Sequence, residues 1–554
     1  MRDFLDSLYK GYPVGYLIAW RNPSVRLKDG TTSQGKIILI DGQQRVTALM
    51  ASLHGIKIIN KEYEICRISI AFQPLERKFE VKNPAIEKDS RWISDISLIF
   101  DKNFKIYSFV KAYCDKNNID DFDNIFEAIE SLRGIENNNI GLIDLSPDLD
   151  IDTVTEIFIR INSSGVVLSQ ADFAMSKIAV SEKYGGNILR KAIDYFCHLA
   201  VNPEFYSQLC ERDKEFTQTE YFNKMIWLKN ENDDLYDPSY TDMLRVAFTY
   251  KFKRGGLGEL VALLSGRNFE TREYEEQIAE ESFMMLSEGI KDYMNENHFK
   301  KFVMILRSAG FIVSSMMRSR NTINFAYVLY LTLREMQFNQ AIIEILVRKW
   351  FVLSILTSRY IGSGESKLDI DIKQIAKDPE TFISNTISAE LSDAFWNIGL
   401  PQQMNTSVTS SPSFNVFLAA QVYLNDKGFL SKDITVRDLI SIKGDVHHVF
   451  PKEYLKRQGY NHVMYNQIAN YVMIQSEINI AIGAKNPSVY FNELFEQCNG
   501  GKQKYGAINT LSELQENMRM NCIPENIVDM EYYEFLEERR KLMAQKIKVY
   551  FNKL

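Results

Sequence analysis

KIILIDGQQRVTALM, residues 36–50, reads as strand, tight turn and helix. The apolar, β-branched KIILI (36–40) has the length and composition of a buried strand. Gly42 permits a tight turn. Val46, Leu49, Met50 and Leu53 then recur at helical spacing. The first turn of such a helix offers free backbone N–H groups and the positive end of the helix dipole, which suits an anion. Arg45 lies in that turn and can add a bidentate phosphate contact. Asp41 can hold a metal or a ribose hydroxyl. By its chemistry alone the stretch is equally an ordinary strand–helix corner with a surface arginine.

Outward from this corner, residues 1–180 mix strand and helix signals. EICRISIAF (64–72) and KFEVK (78–82) read as strands on either side of the turn-like QPLER, and DSRWISDISLIF (89–100) closes the strand-rich part. Residues 181–405 read as helical, with FAYVLYLTLREM (325–336) and AIIEILVRKWFVLSIL (341–356) as buried bundle helices. SVTSSPSFN (407–415), rich in Ser, Thr and Pro, marks a boundary before a last domain, 406–554. That domain ends in YYEFLEERRKLMAQKIKVYF (532–551). Tyr532, Phe535, Leu536, Met543, Ile547 and Tyr550 share one face of this helix, and its charged residues read as a solvated face. The expected fold class is α+β, in three domains.

A chain of 554 residues with 45% hydrophobic and 25% charged residues is ordinary for a globular protein. The net charge of −7 gives no global basic field, although a local basic stripe is enough to bind DNA. None of the six cysteines forms a C-x-x-C pair, so reduced thiols are expected rather than a disulfide framework or zinc ribbon. MRDFLDSLYKG (1–11) reads as an amphipathic helix start rather than a signal peptide. No apolar run approaches the roughly eighteen residues of a membrane helix. A cytoplasmic protein without a membrane partner is expected.

GDVHHVFPKEYL (444–455) holds two of the six histidines, and His462 follows shortly after. Cutting a phosphodiester needs a base for water, a divalent metal against the developing charge, and a rigid scaffold for both. Imidazole can serve as base or as metal ligand. Drawn as a strand, DVHHVF puts His447 and His448 on opposite faces, awkward for two ligands of one ion unless a bend or bulge intervenes. NQIANYVMIQSEIN (466–479) supplies a turn, the short apolar strand YVMI (471–474), and Ser476 opening a helix or loop, with Asn470 and Asn479 at its two ends. The alternative is that the histidine pair and both asparagines satisfy loop hydrogen bonds.

This C-terminal arrangement resembles the HNH, or ββα-metal, nucleases. The resemblance implies that His448 is the general base, His447 a metal ligand, Asn470 a brace that orients the base, and Asn479 the second metal ligand. Asp445 would be a partner that fixes an imidazole tautomer, and Pro451 would end the first strand. With Asn in the last position and few thiolates nearby, Mg²⁺ or Mn²⁺ is expected over a tightly held Zn²⁺.

At the other end, DGQQRVTAL resembles the D-G-Q-Q-R-x-T signature of the GmrSD N-terminal domain, a ParB/sulfiredoxin-like fold. IFIRINSSGVVLSQADF (157–173) resembles that domain's second run, F-x-R-x-N-x-x-G-x-x-L. GYPVGYLIAW (11–20) and RWISDISLIF (91–100) also fit, and the chain's ending resembles the GmrSD C-terminal domain with its HNH site. The resemblance implies a modification-dependent (type IV) restriction endonuclease acting in phage defence. Its partners would be modified phage DNA and a second copy or partner subunit. A nucleoside triphosphate of unspecified base would bind Asp41, Gly42, Gln43, Gln44 and Arg45, with Arg160, Asn162 and Gly165 contributing from the second motif. Hydrolysis of that nucleotide is implied too. Family members usually carry a Q-R-x-Y-like strand before the first helix, whereas this sequence opens inside that helix. A misassigned start, a shortened domain or a part supplied by a partner would each account for this. Two other functions fit the same residues: a nucleotide- or DNA-sensing subunit whose HNH fold no longer cuts, and an RNase or toxin using the same site.

Overall fold

A computed structural model of the chain describes residues 1–21, 37–59, 65–149, 153, 154, 157, 169–231, 233–362, 364–442, 444 and 446–554. The described chain is mostly helical with few strands, compatible with an α+β class. It divides into two compact units, Met1–Asn223 and Lys224–Leu554.

In the first unit, β1 (Tyr16–Trp20) is the centre of a three-stranded sheet. It pairs antiparallel with β2 (Ile38–Asp41), Ile18 facing Asp41 and Trp20 facing Ile38. Two hairpins follow: β3 (Ile58–Ile59) with β4 (Ile65–Cys66), and β5 (Ile70–Gln73) with β6 (Lys78–Val81). The third sheet strand, β7 (Gly141–Leu145), pairs parallel with β1 from Tyr16–Gly141 to Trp20–Leu145. The Trp20 indole N–H donates to the Ser146 carbonyl at 3.1 Å and fixes the end of that pairing. Leu5, Leu8, Phe72, Ile96, Ile129 and Leu132 belong to one core formed by helices and the β5–β6 hairpin.

EICRISIAF, expected as a single strand, is split between β4 and β5. Arg67 explains the break. Its guanidinium turns inward to Asp95 at 2.8 Å and to the Ser97 hydroxyl at 2.9 Å, and also donates to the Ala51 carbonyl. Asp95 in turn caps a 3₁₀ turn, Ile96–Phe100, by accepting from the Ser97 N–H. DSRWISDISLIF therefore ends in a helical turn, and only Ile93 bridges to Phe72.

The second unit is built on helices that include Tyr240–Phe252, Glu276–Tyr293, Arg320–Glu335 and Gln340–Leu356. Every residue from Thr322 to Leu333 is buried, as the all-round apolar character of FAYVLYLTLREM requires. The helix Pro412–Tyr423 packs against both Gln340–Leu356 and the last helix, Tyr532–Lys553. The expected boundary near residue 405 thus falls inside this unit. All six cysteines are unpaired. Among the described residues, no helix is long and apolar enough to cross a membrane.

Candidate active site

In the second unit, β8 (Val446–His448) pairs antiparallel with β9 (Tyr471–Met473), and the helix Ser476–Ile482 follows at once. The register sets His447 opposite Val472 and His448 opposite Tyr471. Alternation therefore sends the two imidazoles to opposite faces of the hairpin. The His448 and Tyr471 rings meet edge to face, with centroids 5.1 Å apart. Val446 and Met473, also directly paired, line a cavity of about 760 Å³ together with Arg307, Arg318, Phe414 and Asn415.

The loop after β8 is clamped by Asn470 and Tyr490, and the segment that carries Asn470 is held by Arg539. Asn470 is fully buried. Its Oδ1 accepts from the Phe450 N–H at 2.8 Å, and its Nδ2 donates to the Phe450 carbonyl at 3.1 Å and to the Tyr465 carbonyl at 3.3 Å. The Tyr490 hydroxyl donates to the Val449 carbonyl at 2.9 Å. Arg539, 1% exposed, donates to the carbonyls of Ala469 at 2.7 Å, Tyr471 at 2.8 Å and Asn521 at 3.1 Å. The expectation of a solvated charged face on the last helix does not extend to Arg539. Burial lowers its pKa to about 10, and its neighbours are backbone carbonyls on either side of Asn470.

Asn470 thus fixes backbone, and the hydrogen bond to the His448 imidazole comes from another residue. His448 Nε2 meets Asn466 Oδ1 at 2.9 Å, and Asn466 Nδ2 meets His462 Nε2 at 2.9 Å. Burial pushes the His448 imidazole below its usual range. The hydrogen bond to Asn466 raises it, while Lys452 and His447 lower it further. A neutral imidazole at pH 7 is in the form that accepts a proton. Lys452 lies over the Tyr465 ring at 5.7 Å.

Asn479 sits on the first turn of the helix Ser476–Ile482, half-buried, and its side chain makes no hydrogen bond among the described residues. Asp445 lies outside the described residues. Among the described residues, no three His, Cys, Asp or Glu side chains gather as a metal cluster. One imidazole, His447, and one carboxamide, Asn479, do not make a closed zinc site.

The N-terminal corner is built differently. Asp41 ends β2, Gly42 takes φ +96°, and the helix Gln43–Leu53 begins. A Cβ on Gly42 would lie 2.3 Å from Leu17 Cδ2, so both the turn and the packing on β1 require glycine. Gln43 and Gln44 are exposed, and Gln43 Nε2 donates back to the Leu39 carbonyl at 3.0 Å. Arg45 Nη2 bonds Asp41 at 2.9 Å, and Nη1 donates to the Tyr16 carbonyl. The guanidinium therefore ties the helix to two strands. Arg160, Asn162 and Gly165 lie outside the described residues.

Residues 1–179 match the family model for the GmrSD restriction endonuclease N-terminal domain. An uncharacterized protein of Methanocaldococcus jannaschii is 26% identical over 216 residues, 36% of this chain and 36% of that protein. The chain thus spans about a third of the length of the curated relative it matches. The match to the GmrSD domain covers the sheet β2–β1–β7 and the corner at Asp41–Arg45.

Sequence reasoning missed Asn466, His462 and Arg539 as parts of the site. Asn466 stands only four residues before Asn470, but a single asparagine in a turn carries no signal by itself. Arg539 lies 70 residues from the Ala469 carbonyl it holds.

Proposed function

We propose that the chain is a metal-dependent DNA endonuclease of the type IV restriction class. In this reading the β8–β9 hairpin and the helix Ser476–Ile482 form an HNH-type cutting site. The observation that carries the reading is the hairpin register followed directly by that helix. Beside them Asn466 anchors the His448 imidazole through one nitrogen, and the Asn479 side chain makes no hydrogen bond among the described residues. The GmrSD match over residues 1–179 supports the restriction class.

His448 takes the proton from water. Asn470 holds the Phe450 backbone and with it the end of the strand that presents His448. His447 and Asn479 would hold Mg²⁺ or Mn²⁺. When bound, such an ion neutralises charge on the phosphate and the leaving oxygen. The cavity beside Val446 and Met473 falls in the size range of small-molecule sites, large enough for a nucleotide of the substrate strand. At the other end, Gly42 and the first turn of the helix Gln43–Leu53 would receive a nucleoside triphosphate that regulates cutting. The N–H groups of Gln43 and Gln44 would meet the phosphates, and Arg45 and Asp41 would shape the corner.

The test is plasmid nicking on unmodified, glucosylated, methylated and phosphorothioated DNA. Each is run with and without nucleotide, and in Mg²⁺, Mn²⁺ or chelator. Nicking is expected only with metal and preferentially on a modified DNA. His448→Ala should lose on the order of 10²–10⁴ of the rate with an unchanged circular dichroism spectrum. Wild-type nicking by a folded His448→Ala protein would refute the assignment.

A further inference from the structure

The pairing of His448, Asn466 and His462 constrains where protons sit. The Asn466 carbonyl oxygen faces His448 Nε2 at 2.9 Å and can only accept, so in this amide orientation that nitrogen carries the hydrogen. In the same orientation the Asn466 amide nitrogen can only donate, and the His462 Nε2 it meets at 2.9 Å then presents a lone pair. A neutral imidazole holds one hydrogen, and His448 Nδ1 has no hydrogen-bond partner among the described residues. With the amide turned over, His448 would accept at Nε2 and carry its hydrogen on Nδ1, leaving no basic nitrogen for water. The segment that carries Asn466 is held in place. The Tyr532 hydroxyl is within hydrogen-bond reach of the Met464 carbonyl at 3.0 Å and the Tyr465 carbonyl at 3.2 Å, and the Ile468 N–H donates to Thr406 at 2.9 Å. The Tyr465 ring packs beside both imidazoles, with centroids 6.3 Å from His448 and 5.6 Å from His462.

We propose that Asn466 is the positioning residue of the cutting site: its carbonyl oxygen holds His448 as the Nε2–H tautomer, leaving Nδ1 to take the proton from water, while the amide nitrogen of the same side chain donates to His462. This rests on the reading of His448 as the base. Partners that fix an imidazole in this way are worth about 10–100-fold in activity at metal sites.

The test uses the full chain with ¹⁵N-labelled imidazoles. There are six histidines, and the His448 signals are assigned by their loss in His448→Ala. Wild type is expected to show the Nε2–H tautomer. Asn466→Leu should give a tautomer mixture and lower the nicking kcat by about 10–100-fold, with KM for DNA little changed. Asn466→Ala serves the same purpose if the leucine variant does not fold. Asn466→Asp keeps an acceptor and should restore the Nε2–H tautomer and most of kcat. His462→Phe keeps the ring against Tyr465 and should show a smaller version of the Asn466→Leu effect. An Nδ1–H tautomer in wild type overturns the proposal, as do an unchanged tautomer and kcat in Asn466→Leu. The spectra need neither DNA nor metal. A wild type that holds the Nε2–H tautomer but cuts no DNA in any metal would sink the nuclease reading and the base role while leaving the tautomer assignment standing.

Discussion

Arg45 and Arg539 do the same work in opposite settings. Each guanidinium donates to the backbone at the end of a strand, Arg45 to one carbonyl and Arg539 to several, and so fixes a strand–turn corner. Arg45 is 28% exposed, pairs with Asp41 four residues away, and sits inside the motif it stabilises. Arg539 is 1% exposed and spans the carbonyls of Ala469, Tyr471 and Asn521, which lie in two distant segments. The first corner is held by groups that water can replace, the second by groups it cannot reach. An arginine buried among carbonyls bears a desolvation cost, visible in its pKa of about 10, and its removal leaves those acceptors without donors.

The contrast breaks most directly at Arg539. Arg539→Met should destabilise the second unit by about 3 kcal/mol or more, since three buried carbonyls lose their donor. Arg539→Lys should recover little, because one ammonium cannot span two segments as the guanidinium fork does. Denaturant unfolding measures both, and a loss below about 1 kcal/mol for Arg539→Met would end the claim that this residue is a clamp.

A middle-sized effect is expected at Gly42. Gly42→Ala forces a Cβ into a left-handed residue against Leu17 and should cost about 1–3 kcal/mol, confined to the first unit. Calorimetry resolving the two units' transitions would show which one moves. A shift in the second unit alone would contradict the local character of the N-terminal corner.

The smallest effect sharpens the comparison at the edge of the C-terminal corner. Glu493 is held at about 2, first by Lys485 and then by Tyr505 and Lys504. A carboxylate with a depressed folded-state pKa adds stability above its unfolded value, and that stability disappears as pH falls. Glu493→Gln should therefore cost about 1 kcal/mol at pH 7, given its partial exposure. The difference from wild type should close as pH falls from about 4.5 toward 2. A constant difference across that range would show that the substitution acts through packing.

Much of the architecture follows from local pattern. KIILI becomes β2, the YVMI run becomes β9, and FAYVLYLTLREM becomes a buried helix, because strand and helix periodicity depend on near neighbours. Where the pattern fails, a distant polar contact has intervened. EICRISIAF breaks at Arg67 because Asp95 draws its guanidinium inward, and DSRWISDISLIF turns helical because the same Asp95 caps it. The DGQQR corner could be read from composition, since Gly42, Asp41 and Arg45 act on one another within five residues. Asn470 stands out in the sequence as a candidate, yet its bonds to Phe450 required the fold.

The sequence by itself determined the two strand–turn–helix corners, the helical body between them, and which residues of HHVF and NQIANYVMI carry titratable or amide groups. The tertiary structure alone decided how those groups are divided. Asn470 goes to backbone, Asn466 to the His448 ring, and Arg539 to the carbonyls flanking Asn470. The physical reason is that a hydrogen bond is chosen by what else is buried beside it. For these groups the deciding neighbours stand 18, 20 and 68 residues away, beyond the reach of any local pattern.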